Sequence, residues 1–133
     1  MDRASLAWAS ALLLLGVALG AFGAHGLKPL LGPAALDQWH TAVLYHFIHA
    51  LGLLGLSSLG ERLPDRTHRV VRFAFIGGVI CFSGSLYLLS TRTLVGWDHA
   101  AAILGPITPL GGLLFMLGWA WLLITALRKA DAR

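Results

Sequence analysis

Four stretches of the chain, residues 4–27, 38–60, 73–91 and 100–127, contain no Asp, Glu, Lys or Arg. Each is about 19 to 28 residues long, and an α-helix needs roughly 20 apolar residues to cross the hydrocarbon of a bilayer. The backbone polar groups of such stretches can be satisfied in lipid only within helices or a closed barrel, and runs of this length select helices. The sequence therefore predicts an all-α four-helix transmembrane bundle as a single integral membrane domain, with spans at about 5–26, 38–59, 70–90 and 106–127. Little chain remains for a soluble core. Residues of hydrophobic type make up 57% of the chain and charged residues only 12%, against about 25% charged in soluble domains.

The net charge of +4 would fit a nucleic-acid binder if it formed a basic patch interleaved with reading side chains, but none is present, and nucleic acid is not an expected partner. The basic residues instead divide across the spans. Arg3, Arg62, Arg66, Arg69, Arg72, Arg128, Lys129 and Arg133 fall on one side, and Lys28 and Arg92 on the other. Cytoplasmic loops retain Lys and Arg, so both termini and the middle loop are expected in the cytoplasm. Arg3 and the apolar run after it imitate a secretory signal, but the run exceeds the usual length of an h-region and reads as the first span.

Gly16, Gly20 and Gly23 lie within about 60° on one face of span 1, a strip that lets another backbone approach closely. Packing within the chain is the favoured use, with a homo-oligomer contact as the alternative. Asp37 is placed to cap span 2. Residues 94–104 are expected to form a short interfacial helix between spans 3 and 4, with span 4 starting at Pro106; the competing reading starts it near His99 and kinks it at the prolines. The five tryptophans all lie near span ends, as an aromatic belt requires.

Polar side chains inside a bilayer are costly and mark function or helix association. Tyr45, His46 and His49 fall within about 100° on one face of span 2, while His40 points away. With the termini inside, Ser83, Ser85 and Tyr87 of span 3 reach similar depths, and His25 and Thr108 lie near the outer ends of spans 1 and 4. These eight residues form a candidate outward-facing polar pocket for a small ligand, ion or lipid headgroup. The favoured account is a hydrogen-bond network that fastens the helices. No metal or other cofactor is expected. Cys81 is alone, and the outer histidines His25, His40 and His99 lack the spacing of a metal motif. The spans hold no carboxylate to orient a base, so catalysis is not expected.

Four ordered blocks carry a resemblance: Ala21-Phe22-Gly23-Ala24-His25-Gly26-Leu27-Lys28, Tyr45-His46-Phe47-Ile48-His49-Ala50-Leu51, Phe82-Ser83-Gly84-Ser85-Leu86-Tyr87-Leu88, and Leu104-Gly105-Pro106-Ile107-Thr108-Pro109-Leu110-Gly111-Gly112, followed by Gly118-Trp119. Together they resemble the signature of the domain of unknown function 423 family, small bacterial inner-membrane proteins related to eukaryotic transmembrane protein 256. The resemblance implies four spans in the bacterial inner membrane, membrane lipids as partners, and no established activity. Many bacterial members of that family have Arg where this chain has Leu44 and Gln where it has His46. The eukaryotic form has a pattern like His46-Phe47-Ile48-His49. No mechanism that depends on a fixed charge in span 2 is therefore implied.

Overall fold

A computed structural model of the chain describes residues 1–130, with side chains through Arg128, and these residues contain helices and no strand. Four helices are long and apolar enough to cross a membrane: α1 (Arg3–Leu27), α2 (Pro33–Arg62), α3 (Asp65–Thr91) and α4 (Asp98–Arg128). The protein is an all-α four-helix transmembrane bundle. Arg3, Arg62, Arg66, Arg69, Arg72 and Arg128 gather at or near one end of these helices, and Lys28 and Arg92 at the other. The Lys129 side chain and Arg133, counted with the first group, lie outside the described residues.

Helices α2 and α3 are central, and α1 and α4 are peripheral. The apolar window is half buried in α3 and only 17% buried in α1 and α4. Leu14, Leu15 and Val17 of α1 and Leu113, Met116 and Leu117 of α4 are exposed, as lipid-facing side chains are in a bundle whose solvent is hydrocarbon. One core joins Leu12, Leu53, Leu56, Val71, Phe75 and Phe115, and a smaller one joins Ala42, Leu86 and Leu89.

Glycine on one helix meets a bulky side chain on its neighbour at both peripheral interfaces. Along α1 and α2 the glycine strip is used within the chain. A Cβ at Gly16 would stand 3.2 Å from the Phe47 ring, at Gly20 3.7 Å from Val43, and at Gly23 2.5 Å from the Trp39 indole. The partners recur every four residues, so one face of α2 fills the strip along its length. Between α3 and α4 the exchange runs both ways: Gly78 faces Phe115, Gly118 faces Phe75, and Gly111 faces the backbone of Phe82.

Three local expectations change. Helix α2 begins at Pro33, with extended Gly32 as its N-cap, because proline at the first helical position is already set for the helix and loses no bond there. Asp37 is therefore inside the helix rather than capping it, and its carbonyl accepts from Thr41 Oγ1 at 3.0 Å. Helix α4 does not start at Pro106. It starts near His99, as the competing reading had it, and carries Pro106 and Pro109 in its interior. Residues 101–104 are Ala-Ala-Ile-Leu, which includes the best helix formers, and a prolyl gap in the helical ladder is tolerated when neighbouring groups take up the freed carbonyls. Between the two prolines, Thr108 Oγ1 lies 3.4 Å from the Leu104 carbonyl, an i−4 side-chain bond to the backbone. No separate interfacial helix forms. The chain turns after Thr91, with Gly96 at φ 69° and the Trp97 amide donating to Arg92 at 2.8 Å, and a single 3₁₀ turn at Asp98–Ala100 leads into α4. A positive φ of that size favours glycine.

Candidate functional site

Helix α3 contains a π-helical segment, Val79–Gly84. Ser83 within it and Ser85 just after it lie two residues apart, on opposite faces, and point at different helices. Ser83 is fully buried and donates to the Ala42 carbonyl of α2 at 2.8 Å. Ser85 bonds the Phe82 carbonyl at 2.9 Å and shares a 2.7 Å hydrogen bond with Thr108 of α4.

His49 is 3% exposed at the crossing of α2, α3 and α4. Its Nδ1 lies 2.7 Å from the Tyr45 carbonyl, and Trp119 Nε1–H donates to its Nε2 at 3.1 Å. A carbonyl only accepts and an indole N–H only donates, so the imidazole is held as the Nδ1–H tautomer. Both ring nitrogens are then in use, leaving no lone pair for a metal or haem iron. The ring stacks on Phe115 with centroids 3.4 Å apart and meets Phe75 edge-on at 5.2 Å. His46, 1% exposed, places Nδ1 3.2 Å from the Tyr87 hydroxyl. Its Nε2 is buried and has no hydrogen-bond partner among the described residues.

The other expected residues are dispersed. Tyr45 is 38% exposed and packs its ring against Phe82 at 4.5 Å. His25 is exposed near the end of α1, as are His40 and His99 at the same end of the bundle, and no group of three metal-ligating side chains occurs among the described residues. The structure thus joins His46 to Tyr87 and Ser85 to Thr108, sets His49 beside Tyr45, sends Ser83 to a backbone carbonyl, and leaves His25 apart. A groove of about 360 Å³ near the Lys28 end includes Tyr87 among otherwise largely apolar walls, with Phe22, Leu27, Trp39 and Val95. Trp39 is buried rather than in a belt. Its Nε1–H donates to the Leu19 carbonyl at 3.0 Å, and its ring lies 4.6 Å from that of Tyr87.

A family profile described as "Protein of unknown function (DUF423)" matches residues 19–112. The chain belongs to the DUF423 family. The DUF423 chain is 40% identical over 116 residues to the "UPF0382 membrane protein YwdK" of Bacillus subtilis, covering 86% of this chain and 89% of that one. It is 37% identical over 113 residues to the "UPF0382 inner membrane protein YgdD" of Escherichia coli, covering 84% and 80%. No solved structure matches. This DUF423 member is accordingly a membrane protein of a family without an established function.

One polar cluster of the DUF423 chain is not among the expected residues; Asp2 and Ser5 precede the matched region, and their partners Ser57, His68 and Arg72 lie within it. Asp2 Oδ1 accepts from the amides of Ala4 and Ser5, capping α1. Its Oδ2 accepts from Ser5 Oγ at 2.6 Å and from Arg72 of α3 at 2.8 Å. His68 donates from Nε2 to the Gly60 carbonyl at 2.7 Å and sets Nδ1 3.3 Å from the same carboxylate oxygen. The Asp2 amide donates to the Ser57 carbonyl of α2 at 3.0 Å. Groups of α1 and α3 meet on one carboxylate, and α2 joins them through the Asp2 backbone amide and the Gly60 carbonyl. Asp at an N-cap position before an apolar run is a legible helix start; its partners 66 and 70 residues away are not.

Proposed function

We propose that this chain is a non-enzymatic scaffold or accessory component of the cytoplasmic membrane, with both termini on the cytoplasmic side and its intramembrane polar groups serving to fasten helices. The observation that carries the reading is the interhelical use of these groups. Ser83, Ser85, Thr108, His49 and Trp119 spend their hydrogen bonds on other helices or on their own backbone. A group consumed in this way is not presented to a substrate, and the spans supply no carboxylate beside it. The eight-to-two division of Lys and Arg supports the orientation.

A second reading, a small-ligand or lipid site near the outer end, draws support from one observation. Tyr87, which lines the groove, bonds through its hydroxyl to His46, whose buried Nε2 has no hydrogen-bond partner among the described residues. One experiment separates the two. If the network fastens helices, Ser83→Ala and His46→Leu each lower stability in mild detergent by about 1 kcal/mol, while native mass spectra show no adduct that the wild type holds and His46→Leu loses. A small molecule retained by the wild type and lost from His46→Leu, with stability unchanged, would replace the scaffold reading with the binding one.

A further inference from the structure

At the arginine-rich end, the α2–α3 loop and the facing ends of α3 and α4 enclose a cleft of about 710 Å³, within the usual range for small-molecule sites. Its lining has two characters. Leu63, Pro64, Ile124 and the Trp121 ring are apolar, whereas Arg62, Arg66 and Arg128 are cationic, with Glu61 as the one carboxylate among the described lining residues. The charged part is partly preorganised. Trp121 Nε1–H donates to Thr67 Oγ1 at 3.3 Å, which fixes the indole, and the Arg66 guanidinium lies over that indole 5.4 Å from its centroid. Thr67 also bonds Thr125 of α4 at 3.3 Å, tying the two walls together. In addition, no side chain caps α3 at Pro64, so the helix start at the cleft presents uncapped amides.

We infer that this cleft binds the phosphate headgroup of an anionic phospholipid, with Arg66 and Arg128 on the phosphate and Trp121 and Ile124 against the glycerol and upper acyl chain. Charge complementarity names the headgroup, because a basic pocket between helix ends at the membrane surface suits an anionic lipid. The apolar floor names the lipid over a free anion. Exposed Ile124 and Leu127 carry the lipid-facing surface of α4 up to the cleft, so a lipid enters from the bilayer with its chains still in hydrocarbon. The site shares no residue with the polar network, and it rests on the proposed orientation only for the leaflet in which the lipid resides.

The test is native mass spectrometry of the full chain from mixed micelles holding equal amounts of phosphatidylglycerol and phosphatidylcholine. The wild type should retain phosphatidylglycerol preferentially, and Arg66→Gln combined with Arg128→Gln should lower that preference about twenty-five-fold, since each basic residue near a headgroup contributes about one factor of five. Arg66→Lys with Arg128→Lys should keep most of it, as should Lys28→Gln at the other end. Inorganic phosphate at millimolar concentration should not displace the lipid. Equal retention of the two lipids by wild type, an unchanged preference in the Gln pair, or displacement by inorganic phosphate would each overturn the assignment. Because both arginines are exposed, melting in neutral detergent should be unaltered in the Gln pair, so failure here is separable from failure of the scaffold reading.

Discussion

Gly111→Leu should abolish the detergent-stable bundle. A Cβ at residue 111 would fall on the Phe82 backbone nitrogen and stand 2.7 Å from the Phe82 Cβ and 2.8 Å from its Cα. These atoms belong to the π-helical segment of α3 and cannot rotate away as a side-chain tip would, so α3 and α4 must separate. Overpacking ordinarily costs about 1 to 3 kcal/mol, and contact with backbone puts Gly111→Ala at about 3 kcal/mol and Leu beyond it. That is a large share of a total stability near 5 to 15 kcal/mol. Gly20→Ala is the control, because its Cβ would meet only Val43 at 3.7 Å, and it should stay within about 0.5 kcal/mol of wild type. Size-exclusion profiles after heating report both.

Asp2→Ala should cost about 2 to 3 kcal/mol, from a lost helix cap together with a part-buried Arg72 left without its carboxylate. The side chains of Asp2 and Arg72 are 17% and 22% exposed, so solvent recovers part of the full cost of a buried pair. The same carboxylate gives a pH dependence. Burial raises the Asp2 pKa, but the Ser5 hydroxyl and amide, the Arg72 charge and the Ala4 amide together outweigh it and hold the group below its ordinary 3.8. The unfolded chain therefore takes up the proton first as pH falls. This contribution is fully present above the ordinary carboxylate range and is lost as pH drops through the lower folded value. Denaturation in detergent between pH 6 and pH 3 should show this slope in wild type and a flatter one in Asp2→Asn.

The span count and the fastening role of small residues were readable because both depend on local pattern. Uncharged length fixes a helix that can cross, and a strip of Gly16, Gly20 and Gly23 fixes which face admits a neighbour. What escaped depends on tertiary partners. Trp39 and Trp8 are alike in sequence, each within a few residues of a span end, yet Trp39 is buried against Tyr87 and Trp8 is exposed. His49 was placed on the right face of α2, but its tautomer is set by Trp119, 70 residues on. Arg72 counted only toward charge asymmetry until the bundle brought it to Asp2. The start of α4 is not legible for a different reason: proline is a strong breaker in water but is tolerated inside transmembrane helices.

The central claim, that intramembrane polar groups join helices rather than line a site, is tested most directly by a double-mutant cycle on His49 and Trp119, measuring unfolding free energies of His49→Phe, Trp119→Phe and the pair in one detergent. The account predicts a coupling of about 0.5 to 1.5 kcal/mol, the range of hydrogen bonds between helices in membranes. Additive effects, or single variants as stable as wild type, would contradict it.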